Sequence, residues 1–209
     1  MGERIMVVPR EPVTGPLGYY GAIPVTARDL NDDLFAYAES RPRDDVEHDE
    51  SYLQVIPYVM LMTGGGMVGA RRLGGGNEAR LHERYALGFG GHVRWAEGEQ
   101  HVAPQHVVER AVRHELNEEI GLDLNLTVPP FTHLLLDDTD PVGRVHVGLL
   151  ARLDLDALLG PDRGRFLRSN EPEKLRLVGI SQVFLEHHGD KLEGWARLAL
   201  HALTVEAVG

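Results

Sequence analysis

The sequence predicts an α/β (α+β) fold, a mixed β-sheet covered by helices. An apolar, β-branched run over residues 52–62 is followed directly by a second extended segment. A long amphipathic helix comes next, then further strands, then a last helix. Strands and helices do not alternate strictly, which argues against a doubly wound parallel sheet and for a mixed one.

Taken in order, residues 1–50 read as an irregular N-terminal arm that packs on or extends the main domain of residues 51–209. Within the arm, "RIMVV" suits a short strand, and the acidic run "RDDVEHDE" (Arg43 to Glu50) suits a solvated linker. "YLQVIPYVMLM" (52–62) reads as a buried strand, with Pro57 pointing to an edge or a bulge. "TGGG" is a turn and "MVGARRL" a second strand, so the two form a hairpin. "GGGNEAR" reads as a flexible loop. "YALGFGGHV" is extended, and its glycines imply close backbone approach to a neighbour.

Pro104 to Ile120 reads as a helix, with proline in its first turn and Gly121 just past its end. Strands follow at "FTHLLL", "RVHVGLLARLDL" and "LRLVGISQV", and a final helix from Leu192 to about Val205. The sequon at Asn125 is a chance match in a cytoplasmic chain.

The 209 residues carry a net charge of −11 and no cysteine. Thiolate metal sites, disulfides and a thiol nucleophile are excluded. The acidic balance argues against a nucleic-acid polymer as partner. No apolar run reaches membrane-spanning length, and the N-terminus lacks a signal-peptide core, so a cytoplasmic location and no membrane association are expected.

On a helical wheel at about 100° per residue, Val108, Val112, Leu116 and Ile120 form one apolar stripe. Glu119, Glu115 and Glu118 occupy an arc of about 100° beside it. Like charges at these spacings repel, and the C-terminal end of a helix disfavours anions. Two local rules broken together point to function. A hard divalent cation reverses both penalties, and Mg²⁺ prefers oxygen ligands shared with substrate phosphates.

From Gly91 onward the chain resembles the Nudix hydrolase box, G-x5-E-x7-R-E-U-x-E-E-x-G-U, with U aliphatic. Gly90, Gly91, Glu97, Glu115, Leu116, Glu118, Glu119, Gly121 and Leu122 match it. The phrases "SYLQVIPYV" and "RLHERYALGFGGHV" are similar to a little-characterised bacterial branch of MutT-like predicted phosphoesterases. The box spans some 30 residues, and the fold-level likeness about 52–205. The resemblance implies an α/β/α sandwich and hydrolysis of a diphosphate linked to another group, often in a nucleoside diphosphate derivative.

It implies further that Glu115, Glu118, Glu119 and the Gly90 carbonyl hold Mg²⁺ or Mn²⁺, with Glu118 and Glu119 in the catalytic machinery. A carboxylate from a later loop usually serves as base; Glu171 and Glu173 are candidates, with Glu173 preferred. Arg71, Arg72, Arg80 and Arg84 lead into the box and are candidates to hold phosphates, Arg71 and Arg84 foremost. The expected partner is a small phosphorylated substrate, and family analogy adds a homodimer.

Two departures stand out. The box arginine, which in the family braces the loop against the acid of the first half, is His114 here. Sixteen residues rather than seven separate Glu97 from His114, so "EGEQHVAPQ" is an insertion and Glu99 is a candidate to replace Glu97. Two rival functions share the fold. "GGH" resembles the Cys-Gly-His segment of isopentenyl diphosphate isomerase, but Gly90 stands at the cysteine position. Non-catalytic Nudix binding modules commonly lose the metal-binding acids, and all three are present here. His92 and His146 read by default as structural hydrogen-bonding residues.

Overall fold

The computed structural model describes residues 2–17, 20–73, 83–122, 127–139, 141–160, 167–170 and 172–206. In chain order the elements are β1 (Arg4–Pro9), α1 (Arg10–Leu17), β2 (Gly21–Pro24), α2 (Ala27–Asp29), β3 (Glu39–Pro42), α3 (Arg43–Val46), β4 (Tyr52–Thr63), β5 (Gly66–Arg72), β6 (Tyr85–Ala86) and β7 (Gly88–Phe89). They continue as α4 (Pro104–Ile120), β8 (Phe131–Leu136), β9 (His146–Asp154), α5 (Leu155–Leu159), β10 (Leu175–Ile180), α6 (Gln182–His188) and α7 (Gly194–Glu206). Short 3₁₀ or π turns punctuate the loops.

One mixed sheet runs in the order β10-β5-β4-β9-β8-β2, with β1 and β7 paired to β4, β6 to β5, and β3 to β1. β4 and β9 pair in parallel over nine residues, Gln54–Met62 against His146–Asp154; the other pairings are antiparallel. β4 is buried on both faces, which is why its sequence is a continuous apolar run. Val55, Val59 and Leu61 pack into the core under α4, and Tyr58 and Met60 into the core under α7. The stripe Val108, Val112, Leu116 and Ile120 is at most 1% exposed. Burial of each such side chain stabilises by about 1.5–3 kcal/mol. Ala196, Ala199 and Ala202 bring α7 close to the opposite face. The layers are helix, sheet, helix. No helix among the described residues is long and apolar enough to cross a membrane.

Residues 1–50 are far more regular than the sequence suggests. β1 pairs with both β3 and β4, and β2 forms the sheet edge against β8. "RDDVEHDE" is no plain linker either: it opens with α3, whose Val46 is 2% exposed. Pro57 lies in the most central strand rather than at an edge or bulge. Its missing N–H is tolerated because β4 changes neighbour there, from β1 at Tyr52–Gln54 to β7 at Val59–Met60. "LRLVGISQV" ends as a strand at Ile180, because the Ser181 hydroxyl accepts from the Phe184 N–H and starts α6. The "GGGNEAR" loop and Asn125 lie outside the described residues.

Candidate active site

The site grows from the split between β1 and β4. Beyond Val7 the two strands part, and the chain after β7 enters the gap. The Val93 N–H donates to the Val55 carbonyl at 3.4 Å, Met6 N–H to Val93 at 2.8 Å, and Trp95 N–H to Arg4 at 3.0 Å. Such a wedge needs close backbone approach. A Cβ on Gly90 would sit 1.7 Å from the Pro57 carbonyl oxygen. One on Gly91 would meet the Glu115 carboxylate at 2.6 Å. The glycines thus let the wedge lie flat against β4 and let Glu115 reach the backbone.

α4 carries the acids to this wedge. Its start is set by Pro104, and its end by Gly121, in the left-handed conformation at φ 66°. Glu115, Glu118 and Glu119 line a pocket of about 230 Å³ together with Glu3, Arg43, Gly91, His92 and Arg94. Burial, and then the charge of Glu118, push the Glu115 carboxyl above its ordinary pKa. The His114 Nε2 lies 3.0 Å from a Glu118 carboxylate oxygen. The charge of Glu119, at the other end of the arc, helps to keep Arg72 ionised, and Arg72 is held at 3.1 Å by Glu193.

The loop between wedge and helix is braced by a different pair from the box pattern. Glu99 accepts two hydrogen bonds from Arg110, both 2.8 Å, and receives the Ala96 N–H at 3.3 Å. Its carbonyl accepts from the Trp95 indole at 2.9 Å and the Val102 N–H at 2.8 Å. Arg110 lies one helical turn before His114. The insertion therefore moves the brace by one turn, and Glu99 rather than Glu97 supplies its acid. The pair is solvent-exposed, so Arg110→Ala is expected to leave global stability nearly unchanged. Its larger effect is faster amide hydrogen exchange at Glu99 and Val102, measurable by NMR or mass spectrometry.

His92 and His146 join a polar network. The buried Gln54 donates its amide to the Val46 carbonyl at 3.1 Å, so its oxygen faces His92 Nε2 at 2.8 Å. His146 donates through Nδ1 to the Val142 carbonyl at 2.6 Å, leaving its Nε2 to accept from His92 at 3.2 Å. Both acceptors assign the His92 proton to Nε2. Burial, aided by the charge of Arg43, lowers the His92 pKa to about 4.

Other residues named from the sequence lie apart from this pocket's lining. Arg71 is paired with Glu83. Arg84 reaches the carbonyls of Asp190 and Leu192 at 3.4 and 3.5 Å. Glu173 is exposed in the turn before β10. That turn follows a segment pinned to the end of α4, where Asn170 donates through its backbone to Glu119 at 3.1 Å and through its side chain to Asn117 at 2.9 Å. Arg80 and Glu171 lie outside the described residues.

The guanidinium groups in the pocket are Arg43 and Arg94, bridged by Glu3 at 3.3 and 2.7 Å. Burial opposes ionisation of Glu3, but its hydrogen bonds to both arginines prevail and hold the carboxyl below its usual range. Sequence reading missed Glu3 and Arg43, because only the pairing of β1 with β3 and β4 brings them to α4. Arg94 had a signal, three residues past Gly91 on the wedge.

Comparison with known proteins agrees with this geometry. No family model matches the chain. The crystal structure of Tm1382, "a putative Nudix hydrolase", superposes with a TM-score of 0.75 at 31% identity, covering 97% of this chain and 100% of that one. The chain belongs to the Nudix hydrolase family. YmaB of Bacillus subtilis (strain 168) is also similar, 31% identical over 211 residues, or 97% of this Nudix chain and 98% of YmaB.

Nudix enzymes generally use divalent metals, and the residues present here fit one. The pocket sets four carboxylates against two guanidinium groups. One face offers oxygen donors from Glu115 and Glu118, whose mutual repulsion a cation would relieve.

Proposed function

We propose that this Nudix protein is a metal-dependent pyrophosphohydrolase. It cleaves the diphosphate bond of a small phosphorylated substrate of the nucleoside-diphosphate-X type. The observation that carries this reading is the charge of the pocket. Glu3, Glu115, Glu118 and Glu119 outnumber Arg43 and Arg94, so a diphosphate anion is repelled unless cations enter with it.

Glu115, Glu118, Glu119 and the Gly90 carbonyl are the residues that would hold Mg²⁺ or Mn²⁺. Bound there, such an ion would supply Lewis-acid polarisation of the phosphoryl oxygens and a water of lowered pKa. Arg43 and Arg94 orient phosphate oxygens by exchanging part of their pairing with Glu3. Arg71 and Arg84 remain candidates for the distal part of the substrate. Glu173 stands apart from the pocket lining, on a turn tethered to α4 through Asn170, and is the candidate base for the attacking water once substrate is bound.

Residues 1–50 extend the main domain and supply Glu3 and Arg43 to the pocket. The protein acts in the cytoplasm, without nucleic-acid polymer or membrane as partner, and as a homodimer by family analogy.

The test is turnover of a panel of diphosphate-linked compounds with Mg²⁺ or Mn²⁺, then with excess chelator. Hydrolysis of at least one compound, stopped by the chelator, is the expected result. No turnover across the panel, with tight binding of a panel member retained, would favour a ligand-binding module.

A further inference from the structure

We infer that His114, which stands where the Nudix box carries arginine, is itself a ligand of the metal. The centre then takes a mixed nitrogen–oxygen donor set and favours Mn²⁺ over Mg²⁺. The inference rests on the metal-dependent reading above and goes beyond it, because the box pattern assigns the ligands to carboxylates and a backbone carbonyl, all oxygen donors.

The first support is position. His114 Nε2 lies 3.0 Å from the Glu118 carboxylate, and ligand atoms of His114, Glu115 and Glu118 all come within 4.8 Å of one another. Donors around one divalent ion at bonds of about 2.1 Å lie about 3–4 Å apart, so small side-chain rotations complete the set. His114 and Glu118 are one turn apart on the same side of α4, a spacing that lets two side chains of a helix share an ion.

The second support is independent. The brace of the box arginine is already supplied by Arg110, bonded twice to Glu99. Position 114 is therefore released from the loop, and its side chain turns to Glu118. An arginine there offers donors only and cannot ligate a cation, whereas an imidazole has a lone pair. The alternative use of His114, an ion pair with Glu118, is worth little between side chains that are 49% and 54% exposed.

The third support is ligand chemistry. Imidazole suits transition metals, and carboxylate suits Mg²⁺ and Mn²⁺ alike. Mn²⁺, as a first-row transition-metal ion, tolerates a nitrogen donor beside its oxygen ligands, whereas Mg²⁺ is held by oxygen.

The test uses the whole protein loaded with one equivalent of Mn²⁺. Pulsed EPR is expected to show ¹⁴N modulation in the wild type and in His92→Gln, and none in His114→Gln. By calorimetric titration, His114→Gln is expected to bind Mn²⁺ at least about 10-fold more weakly, since even residues that only support a ligand cost 10- to 100-fold. Its Mg²⁺ affinity is expected to stay unchanged. Bound Mn²⁺ without ¹⁴N modulation in the wild type, or modulation that survives in His114→Gln, overturns the inference and leaves the metal-dependent hydrolase reading standing. No binding of either cation by the wild type overturns that reading as well.

Discussion

Glu115→Gln is expected to remove metal-dependent hydrolysis while raising the thermal midpoint of the metal-free protein. The two effects have one cause. Burial and the Glu118 charge hold the Glu115 carboxyl above its ordinary pKa, so the fold disfavours the ionised form. For an acid with a raised folded pKa, stability is present at low pH and lost as pH rises through the carboxylate range. At neutral pH the ionised Glu115 therefore destabilises the empty protein. Glutamine keeps the shape against Gly91 and removes the charge. The same change deletes a metal ligand, and loss of turnover by at least about 100-fold is expected, beyond the usual effect of residues that merely support ligands. Calorimetry in chelator and steady-state kinetics with metal check the two halves. A lower midpoint together with full activity would remove Glu115 from the proposed centre.

The second large effect is acid destabilisation through His92. Its pKa is lowered to about 4, chiefly by burial, then by the charges of Arg43 and His146. The unfolded chain takes up the proton near pH 6.5, and the folded chain only well below that. Stability from the neutral ring is thus fully present above pH 6.5 and lost as pH falls towards 4. Between pH 7.5 and 4.5 this amounts to about 2–3 kcal/mol. Urea unfolding at the two pH values should show this loss in the wild type and a loss smaller by that amount in His92→Gln. Parallel losses in both proteins would mean that His92 charges as readily in the fold as out of it.

The parts of this structure legible in the sequence are those fixed by local signals. α4 begins at Pro104 and ends at Ile120 because its proline start and left-handed Gly121 are local requirements. β8 coincides with "FTHLLL" because apolar runs bounded by turn residues leave few choices of end. The acidic arc could be read from spacing alone, since helix geometry fixes which residues share a side.

What depended on distant pairing could not be read. β1 and β3 are short strands whose partners lie elsewhere in the chain, and they carry Glu3 and Arg43 to a helix far downstream of both. Pro57 reads as an edge signal in the strand taken alone, because the change of neighbour beside it, from β1 to β7, is set by residues distant in the chain. The shift of the brace to Arg110 and Glu99 also needed the fold, since an insertion alone does not say which turn of α4 its acid meets.

The most direct test of the account follows oxygen. Wild-type protein with Mn²⁺ and the best substrate of the diphosphate panel is incubated in H₂¹⁸O, and the products are weighed by mass spectrometry. The account predicts one ¹⁸O in a phosphate-bearing product per turnover, abolished by chelator and in Glu118→Gln. Conversion without label, or labelled conversion that persists in chelator and in Glu118→Gln, would contradict it.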